Sequence, residues 1–226
     1  MNKWALDGFK ETYKIFGIKN DKEYYESKIY KKGKEIVLDG LKKGIFEKKD
    51  DSIIINLEKE KLGEKLLLRE DGTSVYITQD IYLAKLKQEE YKINKSIYVV
   101  GNEQEYHFKV LFTILSKLGF DYKNLKHFSY GMVNLPEGKM KSREGTVVDA
   151  DSLIEEVQSL IKKELISREK FSKRELESRS LKIALSAIKY FLLKVDAKKN
   201  MLFNPKESIS FEGDTGPYLL YSYARA

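Results

Sequence analysis

The chain has 226 residues, 42% hydrophobic and 34% charged, a composition typical of a globular protein with one large or two small domains and a sizeable core. It has no cysteine and only two histidines, which excludes disulfides and thiolate metal sites and argues against a metal site built from imidazoles. No apolar run approaches the roughly 20 residues that span a bilayer, and the first residues lack the apolar core of a signal peptide. We therefore expect a cytoplasmic protein that does not bind membranes. The net charge of +7 favours an anionic partner.

The first seventy residues are expected to form helices and then a hairpin. Apolar residues at helical spacing predict a helix that ends at Gly17, and a second helical stretch follows from about residue 21 to residue 41. The segments SIIINL (52–57) and KLLLRE (65–70) are typical of strands.

Strands and helices alternate in the next part of the chain. An Asp-Gly turn leads into SVYIT (74–78), which predicts a strand, and the following helix would take Asp80 as its N-cap. SIYVV (96–100) predicts a second strand, residues 102–119 a helix with an Asn-x-x-Glu capping box, and HFSYGMV (127–133) a third strand. This β-α-β-α-β order predicts an α/β fold with a parallel sheet, equivalent to one half of a doubly wound nucleotide-binding fold.

The remainder of the chain is predicted to be helical. Leu153, Val157 and Ile161 share one helical face, a second helix covers about residues 177–195, and Pro217 lies in the first turn of a last helix.

Ligands of a parallel sheet bind at the carboxyl ends of its strands. Three segments are expected there: one with Tyr76 and Asp80, one with Gln104 and His107, and the basic loop EGKMKSREGT (137–146). A polyphosphate suits that loop, because lysine offers a point charge and arginine a fork of donors. Neither G-x-G-x-x-G nor a P-loop motif is present.

These residues also have purely structural interpretations. Asp80 would be a helix cap, worth about 1 kcal/mol; Tyr76 would be a core residue of an alternating strand; and His107 would be a structural hydrogen-bonding group. The residues alone leave both interpretations open.

Three segments of the chain resemble, in order and spacing, the second half of the catalytic domain of class I arginyl-tRNA synthetases. They are DGTSVYITQDIYLAK (71–85), IYVVGNEQEYHFKVLFTILSKLG (97–119) and HFSYGMVNLPEGKMKSREGTVVDADSLI (127–154). Residues 190–226 are similar to the segment that leads into the anticodon-binding domain of that family, and YYESKIY (24–30) to the segment before the hairpin.

The resemblance implies an ATP-dependent arginine–tRNA ligase of protein biosynthesis. ATP, with Mg²⁺, and arginine would form arginyl-adenylate and pyrophosphate, and the arginyl group would then pass to the tRNA for arginine. No prosthetic group and no zinc are expected.

The resemblance also implies roles for individual residues. Those of the arginine pocket would be Tyr76, Asp80 and Gln104, and those that bind ATP would be Gly101, Glu103, His107, Met132, Val133, Met140 and Ser142. The basic loop resembles the KMSKS signature loop, in which Lys139, Lys141 and Arg143 would be catalytic by stabilising charge on the leaving pyrophosphate. Its Lys-Ser order is reversed and Arg143 replaces the last serine, which leaves open which side chain meets which phosphate.

The family's other signature, H-x-G-H, does not occur in this sequence. The chain is therefore expected to be a fragment, inactive alone, whose partner is the half of the catalytic domain that carries H-x-G-H. Its three regions would be an insertion (1–70), the second half of the Rossmann-type domain (71–150) and the start of the anticodon-binding domain (151–226). The alternatives are a non-catalytic binding module on the same scaffold and, from net charge alone, a generic nucleic-acid-binding protein.

Overall fold

The computed structural model describes residues 2–120, 124–134 and 149–226. Its helices and strands, in chain order, are α1 Asn2–Phe16, α2 Glu26–Ile29, α3 Gly33–Lys42, β1 Glu47–Lys49, β2 Ser52–Leu57, β3 Gly63–Leu68, α4 Tyr76–Tyr91, β4 Ser96–Gly101, α5 Glu105–Lys117, β5 Leu125–Tyr130, β6 Val133–Asn134, α6 Ala150–Arg168, α7 Lys173–Leu193, β7 Met201–Leu202, α8 Pro205–Ser208 and α9 Gly216–Arg225. They form two compact units, residues 21–129 and residues 130–226 with the N-terminal segment up to Asn20. None of the described helices is both long and apolar enough to cross a membrane.

The first unit, residues 21–129, begins with two short helices and an antiparallel sheet in the order β1-β2-β3. The predicted strand at residues 52–57 is confirmed, and the turn before it places Asp50 and Asp51 in the left-handed region, which aspartate tolerates better than most residues. The helical stretch expected from residue 21 to residue 41 is broken into α2 and α3.

The strand predicted at residues 74–78 is wrong. Only Ser74 pairs with β3, through an isolated bridge to Leu68, and helix α4 then begins at Tyr76. Ile77, Ile81 and Ala84 are buried at helical spacing, so burial of this stripe decides against the strand propensity of the segment. The predicted β-α-β-α-β order therefore loses its first strand, and the described order is α4-β4-α5-β5.

Strands β4 and β5 form a two-stranded sheet, and α5 connects them in the manner typical of parallel strands. The core of the unit lies on the α5 side of this sheet, where Leu111, Ile114 and Leu115 are fully buried. On the opposite face, Ile97 is 53% exposed and Val99 63% exposed. The predicted capping box is wrong: Asn102–Gln104 form a 3-10 turn, and Gln104, the residue before α5, makes no side-chain cap.

The second unit is built from α1, α6, α7 and α9, and the predicted helices of this region are confirmed. Val157 of α6 and Ala184, Ala187 and Ile188 of α7 form its buried core. The first turn of α9 approaches α7 so closely that a Cβ on Gly216 would lie 2.2 Å from the Ser186 carbonyl oxygen. Strands β6 and β7 pair in parallel.

Asp149 caps helix α6 and gives this unit a testable pH dependence. Its side chain accepts hydrogen bonds from the backbone N–H and the hydroxyl of Ser152, and these bonds hold the pKa of the carboxyl below its usual value of 3.8. Because the folded pKa is depressed, the stabilisation by the carboxylate is fully present above that value and is lost as pH falls through the folded pKa. We expect Asp149→Asn, which keeps a capping side chain without the titration, to lose less stability than the unmodified chain between about pH 6 and about pH 3. Urea unfolding at both pH values measures this, and equal losses in the two proteins would contradict it.

Candidate functional site

The residues predicted to bind arginine lie on α4 and at the start of α5, both in the first unit. Tyr76 and Asp80 lie four residues apart on α4 and therefore on one face of that helix. Gln104 and His107 lie at the entrance to α5. The two helices are joined at this point by a hydrogen bond of 2.7 Å between His107 Nε2 and Asp80 Oδ2.

Asp80 is not a helix cap. It is the fifth residue of α4, and the position before that helix is held by Val75. Its side chain is 38% exposed, so it is open to a ligand as well as bonded to His107. The structural interpretation of Asp80 as a cap is thereby wrong, and the carboxylate needs another explanation.

Tyr76 is not a core residue either. It is 76% exposed at the first position of α4, because the helix turns Ile77 and not Tyr76 towards the core. Gln104 is also exposed. An exposed phenol and amide and a partly exposed carboxylate can donate to and accept from a polar ligand, and a carboxylate can pair with a guanidinium. Their contact with arginine stays a prediction.

Lys87 and Tyr98 were not found by sequence reasoning, although both lie near Asp80. Lys87 is half-buried, with its Nζ 4.2 Å from the centre of the Tyr98 ring. Burial lowers the pKa of Lys87, and the negative charge of Asp80 partly offsets this. Burial likewise raises the pKa of Tyr98. Lys87 follows Asp80 by seven residues, so the helix predicted from Asp80 onward already places both on one face, but helical spacing alone does not single out Lys87.

The residues predicted to hold the ribose lie where β4 ends. Gly101 is the last residue of β4, and Glu103 is exposed in the 3-10 turn that follows. A carboxylate at that position can accept hydrogen bonds from two hydroxyl groups of a ligand. The structure gives no contact that assigns a nucleotide to it, and this role stays a prediction.

Met132 and Val133, predicted to hold adenine by their backbone, form the start of the β6 segment in the second unit. The Met132 N–H donates to the Asn200 side-chain oxygen at 2.7 Å, and its carbonyl accepts from the Met201 N–H at 2.9 Å. In this parallel pair the hydrogen bonds to β7 are made by Met132 and Asn134, the residues on either side of Val133. The N–H and C=O of Val133 therefore point to the side opposite β7. Sequence reasoning did not find Asn200, because no local pattern predicts a hydrogen bond to Met132 from a residue 68 positions away.

The signature-like loop lies outside the described residues. This applies to five predicted site residues, Lys139, Met140, Lys141, Ser142 and Arg143. Their catalytic and ATP-binding roles remain predictions from the sequence.

Comparison with known proteins gives one consistent result. Residues 5–205 match the family model described as tRNA synthetases class I (R), catalytic domain. Along its entire length the chain is 58% identical to the arginine–tRNA ligases of Parabacteroides distasonis and of Bacteroides thetaiotaomicron. It spans 38% of the length of each of these relatives.

Solved structures agree with the sequence relatives. The chain is similar to the arginyl-tRNA synthetase of Plasmodium falciparum, with a TM-score of 0.80 and 27% identity over 99% of this chain and 38% of that one. It is also similar to the arginyl-tRNA synthetase of Thermus thermophilus, with a TM-score of 0.78 over 96% of this chain and 43% of that one. The second likeness has 22% identity and concerns the fold alone.

Proposed function

Because the chain belongs to the class I arginyl-tRNA synthetase family, we propose that it is the arginine-binding half of an arginine–tRNA ligase. The complete enzyme would activate arginine with ATP and Mg²⁺ and then transfer it to its tRNA. The observation that carries this proposal is the partly exposed carboxylate of Asp80, which caps no helix and is hydrogen-bonded to His107, three residues after Gln104, in a chain of this family.

The chemistry of the pocket favours arginine among the cationic amino acids. Asp80 Oδ2 is bonded to His107, which leaves Oδ1 for a guanidinium N–H. Gln104 and Tyr76 add an amide and a hydroxyl with which the remaining donors of a planar guanidinium can pair, whereas a lysine ammonium could not match that arrangement.

ATP would bind through backbone groups and the signature-like loop. The outward-pointing N–H and C=O of Val133 would pair with adenine. The lysines and arginine of the loop would stabilise charge on the departing pyrophosphate, while the α-carboxylate of arginine attacks the α-phosphorus. The H-x-G-H half would complete this site.

The apolar face of the β4-β5 sheet supports a need for that second half. Sheets of parallel strands are normally covered on both faces, yet Ile97, Val99 and Phe128 are exposed opposite the α5 side. Helices of a partner that carries the first half of the domain would cover these side chains.

Reconstitution tests the proposal. The chain alone is expected not to charge tRNA, and a mixture with a separately produced H-x-G-H half from a close relative is expected to charge it with arginine. Failure of the mixture to activate arginine, although the two halves bind each other, would refute the ligase and favour the non-catalytic binding module.

A Val99→Lys variant tests the covered face. A desolvated ammonium on this face should weaken the association of the two halves about tenfold or more, as measured by sedimentation or calorimetry. Gln88→Lys is the matched control, because it adds the same side chain at an exposed position of α4. Equal association by both variants would mean that the β4 face is not the interface.

A further inference from the structure

We propose that His107 is a positioning residue for arginine recognition, acting through Asp80. The inference rests on the proposed function and deepens it. Its basis is the 2.7 Å hydrogen bond that joins His107 on α5 to Asp80 on α4.

An aspartate side chain on a helix surface can occupy several rotamers, and only one of them aims a given oxygen at a ligand. His107 binds Oδ2 and thereby selects one rotamer in which Oδ1 stays available. Because the two residues belong to different helices, the bond also fixes the carboxylate relative to Gln104, three residues before His107. The guanidinium then meets a carboxylate and an amide whose separation is set before it arrives.

The ring of His107 is itself held in place. It is partly buried and makes an edge contact with Phe108, with ring centres 5.6 Å apart. Phe108 in turn is 7% exposed, packed in the core of the unit and stacked on His127 at 4.4 Å. The imidazole therefore packs against the core on one side and is hydrogen-bonded to the Asp80 carboxylate on the other. Fixed support of this kind is what a binding residue requires for precise placement.

The family resemblance predicted a different role for His107, namely contact with the nucleotide. The two roles predict different kinetics. A nucleotide contact would change the KM for ATP, whereas a positioning role would change the KM for arginine and leave the KM for ATP nearly unaffected. A residue that only stabilises the fold would change neither the KM for arginine nor the KM for ATP.

The first experiment uses the chain with ¹⁵N-labelled histidine. Nuclear magnetic resonance should show the Nε2 nucleus of His107 engaged in a hydrogen bond, with its signal shifted by Asp80→Asn and unaffected by Glu89→Gln on the same helix. An Nε2 chemical shift that is unchanged in Asp80→Asn would show that the hydrogen bond to Asp80 is not formed, and would overturn the inference.

The second experiment measures arginine activation by the chain combined with the H-x-G-H half. His107→Ala should raise the KM for arginine about tenfold to a hundredfold, since a hydrogen bond to a charged group is lost, with kcat much less affected. His107→Gln, which can return an N–H near the position of Nε2, should recover most of the loss. Lys109→Ala is the control, because it truncates an exposed side chain on the same helix.

A double-mutant cycle isolates the route through Asp80. In an Asp80→Asn background, His107→Ala should have little further effect on the KM for arginine. Additive effects would overturn the inference, as would a raised KM for ATP with the KM for arginine unchanged. Absence of arginine activation by the unmodified mixture would instead overturn the proposed function, and the inference with it.

Discussion

An Asp80→Ala variant is expected to lose arginine-selective binding while keeping the fold of its unit. The substitution would leave the guanidinium without its charged partner, and losing one member of such a pair weakens binding by about 30-fold or more. Asp80 is partly exposed and caps no helix, so stability should change little. Calorimetric titration with arginine in the presence of ATP, with lysine as competitor, measures the effect in the chain and in its mixture with the H-x-G-H half.

Glu89→Ala is the matched control for this experiment. It removes a carboxylate from the same helix, where Glu89 makes only an exposed ion pair with Lys85 at 3.8 Å. Such pairs contribute little, so arginine affinity should be unchanged. If Asp80→Ala bound arginine as tightly as this control does, the carboxylate would not be the guanidinium ligand, and a binding module without amino-acid chemistry would become the better interpretation.

The sequence predicted the elements whose local pattern is unambiguous. Helix α5 has a continuous apolar face through Phe108, Leu111 and Leu115, and β4 is a short apolar run between polar turns. Helix α5 was found because local pattern and burial agree there, and β4 was found from its apolar, β-branched run although Ile97 and Val99 are exposed. The helices that follow Asp149 were found for the same reason as α5.

The segment around Tyr76 was misassigned because two patterns overlap in it. Val75, Tyr76, Ile77 and Thr78 favour a strand by propensity, and the helical stripe becomes visible only when Ile77 is combined with residues farther along α4. Tertiary burial then overrides propensity.

Contacts between elements could not be predicted from sequence. The bond from His107 to Asp80 depends on how α5 packs on α4, and the bond from Asn200 to Met132 joins residues 68 positions apart. The family resemblance supplied which residues belong to a site, but it supplied no partner for either side chain. Long-range geometry therefore adds a partner for His107 that the sequence did not predict, while the arginine-binding roles of Tyr76, Asp80 and Gln104 stay predictions.

The same long-range geometry makes Gly131 critical for the segment proposed to hold adenine. Its N–H donates to the Ala197 carbonyl at 2.7 Å, and a Cβ at this position would lie 2.2 Å from the Lys199 carbonyl oxygen and 2.5 Å from the Asn200 nitrogen. These are backbone atoms, so rotation of a side chain cannot relieve the overlap. The strand that follows would have to move away from residues 197–201, and Met132 would lose its place beside Asn200.

We therefore expect Gly131→Ala to destabilise the second unit by about 1–3 kcal/mol and to raise the KM for ATP in the reconstituted enzyme more than the KM for arginine. Gly8→Ala is the matched control within that unit, because nothing lies within 4 Å of its Cβ position in α1 and alanine favours a helix more than glycine. Urea unfolding of both variants gives the comparison, with the control at or above the stability of the unmodified chain. If Gly131→Ala unfolded at the same urea concentration as the control, residues 131–134 could move away from residues 197–201 without a loss of stability. Close packing at Gly131 would then not be what holds Val133 in position.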